Sequence, residues 1–590
     1  MKILLAAVNA KYTHMNPALY SIKAYAGVYG EQMEIVEYTI NQFPQDVLRD
    51  LYSRKPDVIG FSVYIWNTVF VEKLLPDLQK ILPEVQIFLG GPEAAFRKEE
   101  LLSKYPSVKG VFFGEGEEAW KQAAEQLTKN GRISEPIAGL LLRNSTAAAP
   151  EILSMDDLPF LYTEENIGLF ENRMLYYETS RGCPYRCSYC LSSVEKVLRF
   201  KRLEKVYAEL NFFLRHRVRI VKFVDRTFNA DRKHAMGIWQ YLAAHDNGVT
   251  RFHFEIEADL ITDDELAFLK TVRKGLFQFE IGVQSTDPAV LHEIERFADT
   301  KKIKKVVTEL KKADNIMLHT DLIAGLPRED LSGFIRSFNE VYTWGADELQ
   351  LGFLKVLPGT VMQEKKDQYG LQYETEAPYE VFSTNWLSYE DIVLLKAVEE
   401  QLERYGNSGA YRRTLAAFLR CFEDPFSMFC FLADYYSAHT GRFEKQSRVS
   451  SYQMLREAIR EKLLSTENAE TSDKTESPSP LESGLPAVEE TALPSALKYY
   501  DALLLTDLYE KEKMKVRPAF FGGNERQHQL EKEYVRVHEI TENVHIEFFD
   551  FDPEAFMNTG EKVMCKTAVL FFYDVQGAAE RIEYRKEGTV

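Results

Sequence analysis

The sequence predicts an α/β protein of several domains: an N-terminal doubly wound parallel sheet, a central open barrel of six strand–helix units, and a mainly helical C-terminal region with some strands. Three observations predict this. Residues 1–135 alternate short apolar runs with amphipathic helical stretches. Residues 174–365 repeat the alternation with six strand candidates. Residues 366–464 then lose the strand pattern and read as helical. Strand–helix alternation means a parallel sheet covered by helices. A chain of 590 residues is long enough for several such units.

In the first domain the expected strands are Ile3–Val8, Met33–Tyr38, Val58–Ser62, Val85–Leu89 and Val108–Phe113. Val47, Leu48, Leu51 and Tyr52 mark one of the helices between them by their spacing. Five strands suit a flavodoxin-like domain, which takes its ligand beyond the carboxyl ends of the strands. Ser62, Gly90–Gly91 and Gly114-Glu115-Gly116 stand at those ends. Residues 136–173, with Pro136, Pro150 and Pro159, read as a connector.

The barrel strands are expected at Leu175–Thr179, Ile220–Val224, Phe252–Ile256, Phe277–Val283, Leu318–Ile323 and Leu349–Phe353. Barrels of this kind gather their chemistry at the carboxyl ends of the strands. Residues 465–495 are rich in Ser, Thr, Glu and Pro and cannot bury enough apolar surface to order, which predicts a disordered linker. Residues 496–590 form a last α/β region, with strand-like runs at Val535–Ile540, Val544–Phe549 and Ala568–Tyr573.

The net charge of −18 disfavours a nucleic-acid binder, because phosphate binding needs a basic surface. No run of about 18 apolar residues is present, so no membrane span is expected. The apolar stretch Ile3–Val8 is short for a secretory core and reads as a buried strand. A cytoplasmic location is expected. Three of the six cysteines, Cys421, Cys430 and Cys565, are scattered and read as core residues.

The other three lie in Arg181-Gly182-Cys183-Pro184-Tyr185-Arg186-Cys187-Ser188-Tyr189-Cys190, spaced C-x3-C-x2-C. Three thiolates on one loop can bind three irons of a cubane and leave the fourth iron open. The rival is zinc, but a structural zinc site wants four ligands and no fourth Cys or His follows nearby. Arg181 and Arg186 could offset the thiolate charge.

This string resembles the signature of radical S-adenosylmethionine (SAM) enzymes, and its place after the first barrel strand suits that family. The resemblance implies a 4Fe-4S cluster on Cys183, Cys187 and Cys190, with SAM chelating the open iron. SAM would be cleaved to a 5′-deoxyadenosyl radical, with electrons from a reductant protein such as flavodoxin or ferredoxin. Phe254-Glu255-Ile256-Glu257-Ala258-Asp259, Ile281-Gly282-Val283-Gln284-Ser285 and Asp321-Leu322-Ile323-Ala324-Gly325-Leu326-Pro327 are similar to SAM-contacting segments of oxygen-independent coproporphyrinogen oxidase and its relatives. Carried over, Glu257, Gln284 and Asp321 become hydrogen-bond partners of SAM, Arg296 the clamp on its carboxylate, and Tyr189 a backbone contact to adenine. Asp225 is a further candidate. Each alone also reads as a helix cap or a loop salt bridge.

A doubly wound domain ahead of such a barrel resembles the cobalamin-dependent radical SAM family. Ser62, Val63, Gly90, Gly91, Gly114, Glu115 and Gly116 then fall on corrin-side loops. Domains that ligate cobalt through histidine carry D-x-H-x-x-G after the first strand. Here the stretch is Tyr12-Thr13-His14-Met15-Asn16-Pro17, so His14 lacks the Asp that would fix its tautomer. The C-terminal half resembles a domain of unknown function that follows some radical SAM barrels. Its basic stretches Tyr411-Arg412-Arg413 and Lys515-Val516-Arg517-Pro518 read as an anion grip or a solvated helix face.

The function expected is that of a cobalamin-dependent radical SAM methyltransferase or oxidative cyclase acting on a small-molecule or tetrapyrrole-like substrate. The layout resembles that of the anaerobic magnesium-protoporphyrin ester cyclases. Two alternatives stand beside it. In one, a radical SAM enzyme without corrinoid uses its N-terminal domain as a substrate or partner module. In the other, the chain is a non-enzymatic Fe-S/corrinoid sensor.

Overall fold

The structure is a computed structural model and describes residues 1–193, 197–439, 447–472, 496–514, 516–522, 524–574 and 578–587. The N-terminal sheet holds β1 (Ile3–Asn9), β2 (Met33–Thr39), β3 (Val58–Ser62), β4 (Gln86–Gly90), β5 (Val108–Phe112) and β6 (Leu140–Leu142) in the order β2-β1-β3-β4-β5-β6. The first five are parallel, and β6 joins antiparallel through Phe112 opposite Leu140. The sheet thus extends past 135 into the stretch read as connector. Every residue of β1 is buried. Leu4, Ala6 and Val8 pack into one core, and Ile3, Leu5 and Ala7 into the other, as a sheet covered on both faces demands.

The second sheet is built from β7 (Leu175–Tyr177), β10 (Ile220–Phe223), β11 (Arg251–Ile256), β12 (Phe277–Gln284), β13 (Met317–Ala324) and β14 (Glu348–Phe353). Between β7 and β10 lies a small antiparallel ribbon of β8 (Ser180–Arg181) and β9 (Arg199–Phe200). The six strands run in the order β14-β13-β12-β11-β10-β7, so the sheet is open with β7 and β14 at its edges. This is the expected partial barrel.

These strands alternate. On β12, Phe277, Phe279, Ile281 and Val283 are buried, while Gln278, Glu280, Gly282 and Gln284 are half-buried. The buried set packs on the helical layer: Trp239 of helix Arg232–Ala244 meets Phe254 and Phe279. The opposite face carries Tyr176, Lys222, Glu255, Glu280 and Asp321, all half-buried. A barrel interior is ordinarily filled with branched apolar side chains. Here it is lined with polar and charged ones.

A short ribbon, β15 (Gln372–Tyr373) and β16 (Val381–Ser383), follows the barrel. Among the described residues the C-terminal unit has six helices of seven to twenty-five residues, from Arg412–Phe418 to Leu497–Lys511, Asn524–Val537 and Pro553–Thr559, and a sheet of β17 (Val544–Phe549), β18 (Lys566–Tyr573) and β19 (Ala579–Glu587). The strand expected at Val535–Ile540 is instead the end of helix Asn524–Val537 and the turn after it. Val535 and Ile540 pack beside Ile546 and Leu570, so their apolar character serves a helix lying on the sheet. The expected linker begins later than 465, because helix Arg448–Ser472 runs on into it. Residues 473–495 and Lys515 lie outside the described residues. Arg413 is held by Asp507 at 3.2 Å and Glu510 at 2.6 Å, and Arg517 by Glu547 at 3.0 Å. Both basic stretches therefore commit an arginine to internal ion pairs.

Glu329 follows β13 and is 1% exposed. Its Oε1 accepts from Ser285 Oγ at 2.6 Å and from Ser337 Oγ at 3.1 Å, while Oε2 has no partner among the described residues. Burial raises its carboxyl from 4.5 to about 7. A carboxyl that titrates higher folded than unfolded adds stability below about 4.5 that is lost as pH rises through about 7. The loss should amount to about 3 kcal/mol. Glu329→Gln is expected to abolish this component, so that the gap in thermal unfolding midpoint between pH 5 and pH 8 narrows relative to wild type.

Candidate cluster and SAM site

The cysteine loop leaves the barrel at the carboxyl end of β7. Asp225, at the end of β10 and 1% exposed, fixes that exit. Its oxygens accept from Thr179 N at 3.0 Å, Thr179 Oγ1 at 2.6 Å and Ser180 Oγ at 2.6 Å. Gly182 then turns with φ +92, and a Cβ there would lie 2.4 Å from the Val197 carbonyl oxygen. Only glycine suits both the conformation and the space. Further on, Ser188 N donates to Ile294 O at 2.9 Å, and Met362 N donates to Ser188 O at 2.8 Å. The loop is therefore pinned at its base and in its middle.

Cys183, Cys187 and Cys190 are free thiols. Cys183 Sγ lies 3.6 Å from Thr227 Oγ1, and Cys190 N donates to Cys187 O at 3.0 Å. Burial pushes the Cys187 thiol up, and Arg296 opposes the rise. Among the described residues no three His, Cys, Asp or Glu side chains converge on a single ion. A cubane that takes one thiolate per iron asks for a different arrangement, with sulfurs spread around a body. Three soft donors on one pinned loop suit such a cluster.

Of the residues carried over by resemblance, three come together. Arg296 Nη2 donates to Glu257 Oε1 at 2.7 Å and Oε2 at 2.9 Å, and also to the Gly282 carbonyl. Both side chains are under a tenth exposed. Burial raises Glu257 to about 7 against the pull of Arg296. Tyr189 interacts with both Arg296 and Cys187, so the arginine lies between the cysteine loop and β11. Arg296 Nε has no partner among the described residues.

Gln284 ends β12 at a register shift, with φ +70 and Oε1 buried without a partner among the described residues. Strained non-glycine backbone and unsatisfied buried polar atoms of this kind recur where proteins hold ligands. Asp321 Oδ1 sits 3.1 Å from His319 Nε2. Asp225 is apart from this group, since Thr179 and Ser180 occupy its oxygens. Sequence reasoning missed the rest of the polar face. Lys222 Nζ is 2.9 Å from Glu280 and 3.3 Å from Glu255, and His253 Nε2 is 3.0 Å from Glu280. The signal was the lysine in β10 and the glutamates at alternate positions of β11 and β12.

In the N-terminal domain the expected corrin-side residues share the carboxyl edge of the sheet. Val63 N donates to Gly90 O at 2.7 Å. Gly91 has φ +97, and a Cβ there would meet Val63 O at 2.5 Å. A Cβ on Gly90 would meet only Phe112, at 3.5 Å. Beside Ser62, Tyr64 stacks on Trp66, which is 45% exposed. An edge with backbone turns, a bare glycine and an exposed aromatic suits a broad, flat ligand. Ser62 Oγ accepts from Asn16 Nδ2 at 3.1 Å. The Glu115 carboxylate is engaged by Arg181 and Arg199. His14 lies beside the barrel, its Nδ1 2.8 Å from Tyr176 OH.

A half-barrel with three cysteines at its mouth and a doubly wound domain docked on its first strand define a radical SAM protein with a B12-binding domain. Three family descriptions match in succession: B12 binding domain over residues 3–124, Radical SAM superfamily over 177–341, and Protein of unknown function (DUF4080) over 367–581. The chain is 27% identical over 415 residues to the cobalamin-dependent radical SAM methyltransferase TokK of Streptomyces tokunonensis, covering 62% of this chain and 59% of that protein. It is 23% identical over 331 residues to the anaerobic magnesium-protoporphyrin IX monomethyl ester cyclase of Rubrivivax gelatinosus, covering 53% and 59%. The chain thus spans under two thirds of these relatives. Among solved structures, the cobalamin-dependent SAM radical enzyme OxsB with aqua-cobalamin bound shares the fold at a TM-score of 0.57 and 14% identity, covering 80% of this chain and 81% of that one. Among the described residues no helix is long and apolar enough to cross a membrane.

Two outcomes follow. Gly182→Ala should lower the iron retained per chain after anaerobic reconstitution, because the strained turn costs about 1–3 kcal/mol before the clash with Val197 is counted. Asp225→Ala should lower thermal stability by about 3 kcal/mol or more, because it strands three buried donors.

Proposed function

We propose that this chain is a cobalamin-dependent radical SAM enzyme that cleaves SAM reductively and carries out methyl transfer or oxidative cyclisation on a small-molecule or tetrapyrrole-like substrate. The observation that supports it most is the meeting, within one compact unit, of the cysteine loop and the carboxyl edge of the N-terminal sheet. When bound, the cluster would supply the electron that releases a 5′-deoxyadenosyl radical, and the corrinoid would supply a methyl carrier or a redox partner.

The chain's own residues bind and orient. Cys183, Cys187 and Cys190 hold the cluster. Arg296 is held by Glu257 with its fork fixed, and fork geometry matches a carboxylate such as that of SAM. Gln284 offers its open amide oxygen, Asp321 a carboxylate and Tyr189 its backbone. Asp225 acts as a positioning residue for the cysteine loop. Ser62, Val63, Gly90, Gly91, Gly114 and Gly116 form the edge that receives the corrinoid. A flavodoxin or ferredoxin supplies electrons. The likeness to TokK favours the methyl-transfer branch, and the likeness to the cyclases keeps the other open.

Anaerobic reconstitution with SAM, cobalamin and dithionite, followed by mass spectrometry, tests this. 5′-Deoxyadenosine is expected, and Cys187→Ala should abolish it. S-adenosylhomocysteine alongside it selects methyl transfer. No 5′-deoxyadenosine from cluster-loaded protein would overturn the proposal.

A further inference from the structure

The cysteine loop is closed at its base by β8 and β9, with Ser180 opposite Phe200 and Arg181 opposite Arg199. One carboxylate from the N-terminal domain spans both strands of that base. Glu115 Oε2 lies 3.2 Å from Arg181 Nη1, and Glu115 Oε1 takes Arg199 Nη2. Leu153 completes the arrangement: its N donates to Glu115 Oε2 at 3.3 Å and its carbonyl accepts from Arg199 Nη1. Two residues on, Glu117 accepts from Arg181 Nη2 at 2.6 Å and is itself held by Ser21 Oγ at 2.8 Å. Glu178 takes Arg181 Nε at 3.0 Å.

Burial decides whether these pairs matter. Exposed ion pairs contribute about 0–1 kcal/mol. Arg181, Arg199, Glu115 and Glu117 are each at most 15% exposed. Removing one partner of a buried group strands the others without compensation. Glu115 also stands between Gly114 and Gly116, in the loop that follows β5 on the carboxyl edge of the N-terminal sheet. A Cβ on Gly114 would meet Pro150 Cγ at 2.5 Å, so the loop is fixed from its other side as well. The same few residues border a ligand on that edge and hold both ends of the cysteine loop.

We propose that Glu115 is a positioning residue that clamps the two ends of the cysteine loop to the loop after β5, and that through it cluster and corrinoid strengthen each other's binding. The clamp stands on the contacts alone. The linkage rests on the cobalamin reading above. Two ligands that favour one arrangement of a shared element raise each other's affinity by the same factor, ordinarily about 5–150-fold.

Glu115→Gln tests the clamp. Arg199→Lys keeps the charge but loses the fork, and serves if Glu115→Gln does not fold. Glu118→Gln, one residue from Glu117 and paired with Lys121 and Gln122, is the control. Iron and sulfide are followed during exposure to a chelator, and cobalamin affinity is titrated in cluster-loaded and cluster-free protein. Glu115→Gln is expected to lose its cluster about fivefold faster or more, with Arg199→Lys intermediate. Wild type should bind cobalamin about fivefold more tightly with its cluster present, and Glu115→Gln should show no such difference. Equal chelation rates in wild type and both variants overturn the clamp. Equal cobalamin affinities with and without cluster overturn the linkage. If wild type binds no cobalamin at all, the corrinoid reading fails, and the chelation rates alone decide the clamp.

Discussion

A buried carboxylate orders the centre of this protein. Asp225 holds Thr179 and Ser180 at the point where the chain leaves β7, and that point sets where Gly182 turns and where the three thiols emerge. Burial raises the Asp225 carboxyl, and the hydrogen bonds from Thr179 and Ser180 oppose the rise. The cysteine string from Cys183 to Cys190 inherits its starting geometry from these contacts. Arg296 then meets the loop from the far side with its own carboxylate, Glu257. Two buried acids, one neutralised by hydroxyl and amide donors and one by a guanidinium, thus frame the same loop. Each solution meets the desolvation cost of a buried charge in a different way.

Much of this was legible in the chain. The five parallel strands of the first sheet and the six of the second follow from apolar runs at strand length. The cysteine spacing located the loop, because three soft ligands in eight residues suit few other roles. Pairings distant in sequence were not legible. Arg181 reads as a counter-charge to the thiolates, and two of its partners, Glu115 and Glu117, lie more than sixty residues earlier. Asp225 is legible as a strand-end acid, but the donors that reach it, Thr179 and Ser180, lie forty-five and more residues earlier. Val535 and Ile540 failed as a strand because apolar residues near a strand sequence can equally be the face of a helix that packs on it. β6 escaped notice because a three-residue edge strand gains its order from the partner it pairs with, and β19 because Ala579–Glu587 is charged at most of its positions and shows no apolar run.

The polar face of the half-barrel was also hidden, although its alternation is visible once known. Strands of an all-parallel sheet are expected to read as continuous apolar runs. On one face β11 places Arg251, His253 and Glu255, β12 places Gln278, Glu280 and Gln284, and β13 places His319 and Asp321. Lys222 stands between two glutamates, drawn closer to Glu280, which His253 also supports. A hydrogen bond from His253 and the Lys222 ammonium hold Glu280 down at about 2 despite its burial, while burial lifts Glu255. Two carboxylates on adjacent strands therefore differ in basicity because one has two partners and the other shares one.

That lining governs what can enter. Lys222, Glu255 and Glu280 are charged groups that a purely hydrocarbon guest would shut off from water without offering hydrogen bonds in return, at several kcal/mol for unmatched charges. A molecule that presents hydroxyl, amine or amide groups toward the strands avoids that cost. The polarity of the barrel wall thus acts as a solvation filter, set by side chains that take no part in holding the cysteine loop.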